Sequence, residues 1–307
     1  MILVSGGGGP LGLAFKEMVK GQKNYCFPNS KECNLESAES INIYTSKNGL
    51  QVNGIIHLAA FSGGASLSRM KPAEMISRNL MMAINVLEFA RKSGIKRVLL
   101  CISTSAYSPK IDSPKETDLH SHPIEGIDYA YSWAKRTMEP LMRAFNEQYG
   151  MEVICVVING IIGPGMNFRE GEMILPAALI KKFYAGPGNA PPNLQVITDG
   201  SEIREYSASS DIAKAVLWCY NNQPPNTILN IGSSEKVTVR KVAELIATFL
   251  NLNPLEIIFG DKTHISRPIQ STDNRKFIGL SNFKYMSVKE TIKLAVEWYV
   301  SENKNLT

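Results

Sequence analysis

Tyr131 and Lys135 stand four residues apart in Tyr131-Ser132-Trp133-Ala134-Lys135, a spacing that puts a phenol and an ammonium on one face of a helix. A free tyrosine titrates near ~10 and an adjacent cation favours its ionised form, so this pair can exchange a proton with a substrate oxygen near neutral pH. Ser103 ends the apolar run Arg97 to Ser103, where an α/β sheet presents its ligand-binding edge, and its hydroxyl can reach the same oxygen. Thr104 and Ser105 offer further hydroxyls. Ser103, Tyr131 and Lys135 are therefore the expected catalytic set, and the chemistry they suit is proton delivery coupled to hydride transfer.

A second motif supplies the place for a hydride carrier. Gly6, Gly9 and Gly12 occupy the fixed places of GxxGxxG directly after the apolar run Ile2 to Ser5, and Pro10 and Leu11 open a helix. The glycines permit a tight turn, close approach of a pyrophosphate to backbone N–H groups and close helix–strand contact. The residue that reads the adenosine ribose belongs after the next strand, in Cys26-Phe27-Pro28-Asn29-Ser30-Lys31. No acid is there to accept a ribose hydroxyl and no arginine to meet a phosphate. Lys31 can meet a 2′-phosphate, which tilts the choice between NADP and NAD toward NADP; a solvated surface charge is its other reading.

Elements must position these groups. Short apolar strands alternate with helical patterns, which predicts an α/β fold: a Rossmann-type doubly wound parallel sheet. Strands are expected at Ile2 to Ser5, Tyr25 to Phe27, Gly54 to Ala60, Arg97 to Ser103 and Glu152 to Ile158, with a helix from Pro72 to about Ser93 and one long helix from Tyr129 to about Tyr149. After Gly163-Pro164-Gly165 the pattern changes, and Gly, Pro and Asn accumulate between Phe183 and Asn193. The expected division is a dinucleotide-binding domain at 1–165, with a return segment near 205–222, and a smaller C-terminal α/β substrate-binding lobe at 166–307. The helices of 72–93 and 129–149 are apolar over more than one face, so they are expected to pair with their copies in a homodimer through a four-helix bundle.

Composition narrows the function class. Lys and Arg number 33 against 28 Asp and Glu, a net charge of +5 with no basic run, which argues against nucleic-acid and membrane partners and fits an anionic small molecule. Five cysteines, an odd count without a CxxC pair, read as free thiols in a cytoplasmic protein. The start, Met1-Ile2-Leu3-Val4, lacks the basic and long apolar regions of a secretory leader. Four scattered histidines give no metal site.

The glycine turn, Ile56-His57-Leu58-Ala59-Ala60, the Ser103 to Tyr107 segment and the Tyr131/Lys135 pair together resemble the extended short-chain dehydrogenase/reductases of the NAD-dependent epimerase/dehydratase family, most of all GDP-L-fucose synthases. Gly63-Gly64, Pro72-Ala73, Asn79, Asn167-Phe168, Leu175-Pro176-Ala177 and Arg204-Glu205-Tyr206 carry the likeness along the chain. The resemblance implies NAD(P)H-dependent reduction of the C4 ketone of a nucleotide-diphosphate sugar, possibly GDP-linked. It adds Leu58, Ala59 and Ala60 to the cofactor site, and Ser105, Asn159, Asn167, Lys182 and Arg204 to the substrate site, with Lys181 beside Lys182. The family's epimerising Cys and His fall on Ser105 and Met173, so reduction is expected without epimerisation at C3 and C5, unless His120 or His122 has taken over. Two alternatives stay open: a nucleotide-sugar 4-epimerase with retained NAD, which needs the same triad, and a non-catalytic NAD(P)-binding protein.

Overall fold

The computed structural model describes residues 1–185, 192–261 and 271–304. Its first strands are β1 (Ile2–Ser5), β2 (Tyr25–Cys26), β3 (Gly54–His57), β4 (Arg97–Ser103) and β5 (Glu152–Ile158). Later come β6 (Gly160–Ile162), β7 (Gln195–Val196), β8 (Ile203–Ala208), β9 (Ile228–Asn230), β10 (Lys236–Thr238) and β11 (Ile258–Phe259). Helices in the first half are α1 (Pro10–Met18), α2 (Ser40–Lys47), α3 (Ala65–Met70), α4 (Pro72–Lys92), α5 (Tyr129–Arg136) and α6 (Met138–Tyr149). The rest are α7 (Leu175–Phe183), α8 (Ser209–Asn222), α9 (Val239–Phe249), α10 (Arg275–Ser281) and α11 (Val288–Lys304).

Continuous apolar runs such as Val98–Ile102 and Val153–Val157 are buried on both faces, which is what an all-parallel sheet between helical layers requires. The sheet has six strands in the order β2-β1-β3-β4-β5-β9, all parallel. Its order changes direction between β1 and β3, the switch point where α/β sheets take ligands. On one face Val86 and Leu87 of α4 and Met138 and Met142 of α6 build a core. On the other, Leu11 and Phe15 of α1 pack with Ile212 and Val216 of α8. A separate cluster joins α7, α9 and α11 over a three-stranded sheet β10-β8-β6. This is the doubly wound Rossmann-type sheet with a smaller α/β lobe. The chain leaves the large sheet after β5 and returns to it with α8 and β9.

Two local expectations change. The single helix of 129–149 is divided at Thr137 into α5 and α6. Pro140 is the cause: it has no N–H for the Arg136 carbonyl, so the hydrogen-bond ladder is interrupted there. The polar stretch after β2 contains α2, which buries little beyond Ile41 and Thr45 and so shows almost no apolar pattern. Of the segment between Phe183 and Asn193, residues 186–191 lie outside the described set. No helix among the described residues is long and apolar enough to cross a membrane.

Glu205 sits mid-strand in β8 at 3% exposure. Oε2 accepts from the Thr272 N–H at 3.0 Å, while Oε1 has no hydrogen-bond partner among the described residues. Burial pushes the carboxyl up to about 8. Between the ordinary carboxylate range and about 8 the native chain holds a proton that the unfolded chain has released, so folding stability falls as pH rises through that window. Glu205→Gln is expected to remove this slope and to stabilise the protein by on the order of 1–4 kcal/mol at pH 8.5. Urea denaturation at pH 6 and 8.5 checks it; an unchanged slope in the variant contradicts it.

Candidate active site

Strand ends of the large sheet and the facing surface of the smaller lobe enclose a cleft of about 1210 Å³. That exceeds the ~300–1,000 Å³ of a usual single-ligand pocket and leaves room for two substantial molecules.

At one end lies the glycine turn. Gly6 has φ +75°, and a Cβ on it would stand 2.7 Å from the Ala59 nitrogen. A Cβ on Gly12 would stand 2.3 Å from the Gly6 carbonyl oxygen, so any side chain there would push α1 off the turn. Gly8, by contrast, has nothing within 4 Å of its Cβ position and opens onto the cleft. Gly9 caps α1 and Pro10 begins it, which leaves the first N–H groups of the helix for an anion. This turn, with Leu58, Ala59 and Ala60 forming the adjoining wall, fits a dinucleotide pyrophosphate. Ser5 fixes the arrangement: its Oγ accepts the Ala59 N–H at 3.3 Å and lies 2.8 Å from His57 Nδ1. Burial and Lys135 together push His57 down to about 3, so it stays neutral, the core histidine its strand position suggests.

Ser103, Tyr131 and Lys135 converge on the middle of the cleft. β4 ends in Ser103, and α5, packed against β4, carries the other two. The Ser103 hydroxyl favours the ionised form of Tyr131. Lys135 is 3% exposed; its Nζ donates to the Cys101 carbonyl at 3.2 Å and stands 5.8 Å from the Tyr131 ring centre. Arg136 locks the surroundings, donating from Nε to the Ala106 carbonyl (2.8 Å) and from Nη1 to the His122 carbonyl (2.9 Å).

The electrostatics reverse one expectation. Lys135 was to pull the phenol toward ionisation; instead burial raises Tyr131 above the usual phenol range, with the Ser103 hydroxyl opposing it and Cys101 and Asp128 adding to the rise. The same desolvation lowers Lys135 to about 8. Both groups are therefore biased toward neutrality by lack of water.

Of the expected substrate contacts, Ser105, Asn167 and Arg204 line the cleft. Asn159 does too, but its amide is committed: Nδ2 donates to the Ser233 carbonyl and Oδ1 accepts from Ser207 Oγ, each at 2.8 Å. Lys182 is not among the lining residues; its ammonium donates to the Gln195 carbonyl at 2.7 Å, and that of Lys181 to the Phe168 carbonyl at 3.1 Å. Nor does Lys31 line it. Asn29 Oδ1 accepts the N–H groups of Lys31 and Glu32, a turn that faces Pro28, Asn29 and Ser30 inward and leaves Lys31 exposed. His120 pairs with Glu139 at 2.9 Å and His122 is exposed; neither lines the cleft. Met173 packs against the smaller lobe's core. Sequence reasoning passed over Asp128, although it stands one helical turn before Tyr131. It also missed the Arg78–Glu36 pair at 2.7 Å in the cleft wall, which joins α4 to the loop after β2 and leaves no local signature.

Lys135→Met is expected to raise stability at pH 7 by on the order of 1–3 kcal/mol, since the buried charge is removed. The native value lies below the unfolded one, so wild-type stability should climb from pH 8 toward 10 while that of the variant stays flat. Thermal melts across this range check it; a less stable variant contradicts it.

Residues 2–232 match the NAD dependent epimerase/dehydratase family. A GDP-L-fucose synthase of Dictyostelium discoideum is 28% identical over 97% of this chain and 95% of its own. The crystal structure of a GDP-L-fucose synthetase from Naegleria fowleri bound to NADP superposes with a TM-score of 0.85 at 26% identity, covering 99% of this chain and 94% of that one. A GDP-6-OMe-4-keto-L-xylo-heptose reductase from C. jejuni shares the fold, with a TM-score of 0.87 at 22% identity over 98% of both chains. The turn, the switch-point cleft and the match across three quarters of the sequence agree, and the chain belongs to the NAD dependent epimerase/dehydratase family.

Proposed function

We propose that the chain is a cytoplasmic NAD(P)H-dependent C4-ketoreductase of a nucleotide-diphosphate sugar, GDP-linked as in its relatives, that leaves C3 and C5 as it finds them. The observation that carries this reading is a complete Ser103–Tyr131–Lys135 group in the cleft, with Ser105 and Met173 at the positions where the family resemblance places the epimerising cysteine and histidine. Support for the nucleotide-sugar class comes from the near full-length likeness to GDP-L-fucose synthases. The glycine turn and Leu58–Ala60 would hold the dinucleotide, with Tyr131 and Lys135 at its nicotinamide ribose. When bound, it supplies a hydride to the C4 carbon. Tyr131 holds the proton for the C4 oxygen; burial keeps that proton on the phenol until negative charge develops nearby. Arg204 and Asn167 border the space left for the sugar diphosphate.

Epimerisation needs a group that removes a proton beside a carbonyl and another that returns one. A serine hydroxyl is far weaker than a thiol in the first role, and a thioether has no proton for the second. His120 and His122 lie outside the cleft, so neither stands in for the missing cysteine and histidine.

The partner is a second copy. Met81 and Ile84 of α4 and Trp133 of α5 are 44%, 41% and 41% exposed on helices that pack together, a face suited to a four-helix bundle. Five unpaired cysteines, four of them buried, fit the reducing cytoplasm.

Purified protein should oxidise NADPH or NADH with GDP-4-keto-6-deoxy-mannose and yield a C4-reduced sugar, and Tyr131→Phe should lower kcat/KM by about 10²- to 10⁴-fold. Absence of turnover together with NAD retained through purification overturns this in favour of the 4-epimerase. In light scattering, wild type should run as a dimer and Ile84→Glu/Trp133→Glu as a monomer; a monomeric wild type contradicts the bundle.

A further inference from the structure

We infer that the cofactor is NADH rather than NADPH: the turn after β2 offers the adenosine ribose neutral polar groups backed by a carboxylate, and the arginine of that wall, Arg78, is already held by two acids. The inference rests on the NAD(P)H reading above and decides between its two forms, whichever sugar is reduced.

A 2′-phosphate carries about two negative charges near neutral pH, so a site that takes it must offer cations, best of all the fork of an arginine. A free 2′-hydroxyl asks only for a neutral partner or an acid. In a sheet of this kind the adenosine ribose belongs between the glycine turn and the residues that follow the second strand. Here the two are adjacent: a Cβ on Gly7 would stand 2.9 Å from the Phe27 Cβ. Past Phe27, the residues Pro28, Asn29 and Ser30 line the cleft, and Gly8 on the glycine turn has no side chain to bring a charge into it.

An acid closes the turn after β2. Asn29 Oδ1 accepts the N–H groups of Lys31 and Glu32 at 2.9 and 3.1 Å, and the Glu32 carboxylate returns to accept the Asn29 N–H at 2.8 Å. A phosphate placed against Asn29 and Ser30 therefore approaches a fixed negative charge. The lysines that flank this turn do not offset it. Lys31 is exposed, Lys16 stands 5.7 Å from the Phe27 ring centre, and neither lines the cleft.

Four cationic side chains line the cleft among the described residues. Lys135 belongs to the catalytic group, and Arg169 and Arg204 come from the smaller lobe, which leaves Arg78 of α4. Its Nε and Nη2 meet Glu36 Oε1 at 2.8 and 2.7 Å, its Nη1 lies 3.4 Å from Glu74 Oε2, and its guanidinium covers the Phe61 ring at 4.0 Å. Glu36 lines the cleft as well, so a phosphate drawn toward Arg78 meets that carboxylate with it. Selectivity then comes from refusing the phosphorylated form, with no extra contact to NADH required.

Titration of the purified chain with NADH and with NADPH, followed by nicotinamide fluorescence in the absence of any sugar, tests this. NADH should bind about tenfold or more tighter. Ser30→Arg should tighten NADPH binding about tenfold and leave NADH within about threefold, because it puts a guanidinium where the phosphate would lie. Lys31→Ala should leave both affinities within about twofold. Wild type that binds NADPH as tightly as NADH or tighter overturns the inference. So does a Ser30→Arg variant that folds and gains nothing for NADPH, which would mean that the turn does not face the 2′ position, and so does a loss of NADPH affinity alone in Lys31→Ala. A chain that prefers NADH and reduces no keto sugar keeps the inference and loses the ketoreductase; a chain that binds neither dinucleotide overturns both.

Discussion

Everything in the site depends on an ammonium kept where water does not reach it. Lys135 is surrounded by the ends of β4 and β5, with a peptide carbonyl at 3.2 Å as its hydrogen-bond partner and Cys101 and Cys155 as its ionisable neighbours. A charge so placed is unfavourable for folding, and desolvation is the first cause of its lowered pKa. The surrounding core is closely packed, and Arg136 pins α5 to the Ala106 and His122 carbonyls, both in the connection between β4 and α5. The same dryness raises the phenol beside it. A reaction that creates an alkoxide, and for a moment a phenolate, is what such a site can stabilise, since the lysine gains most when a negative charge appears next to it.

A second constraint is steric and lies at the glycine turn. Contacts as short as those facing Gly6 and Gly12 leave no room for a side chain, and they bring α1 over the ends of β1 and β3. Ser5 and the neutral His57 brace the turn from below, so the wall beginning at Leu58 and the turn move as one unit. Through the sheet this unit is joined to β4, whose last residue is Ser103.

Much of this was legible from residue types and spacing. Glycines after a first strand, a serine ending the fourth and a tyrosine–lysine pair one helical turn apart each have a local physical reason, and the fold brings them together as expected. What was not legible depended on long-range contacts. The inward turn of Asn29 and Ser30 hides in a side-chain-to-backbone loop, and the same turn leaves Lys31 facing out. Lys182 reads as a sugar-diphosphate ligand by position, yet a strand distant in sequence supplies the carbonyl that holds it. Asn159 is taken up by Ser207 and Ser233 for the same reason. The sign of the tyrosine shift also escaped local reasoning, because i to i+4 spacing describes proximity to a cation and says nothing of how dry the pair becomes. Pro140 was different: its effect on the helix was available in the sequence and is purely local.

The central claim is that hydride chemistry survives here while carbon-acid chemistry at C3 and C5 does not, since a buried hydroxyl and a thioether stand where the family resemblance places a thiol and an imidazole. Proton NMR of the sugar formed in D₂O with GDP-4-keto-6-deoxy-mannose tests this most directly, because each epimerised carbon must take its new hydrogen from solvent. The account requires reduction at C4 with protium retained at C3 and C5. Deuterium at either carbon, formed at the rate of turnover, would contradict it.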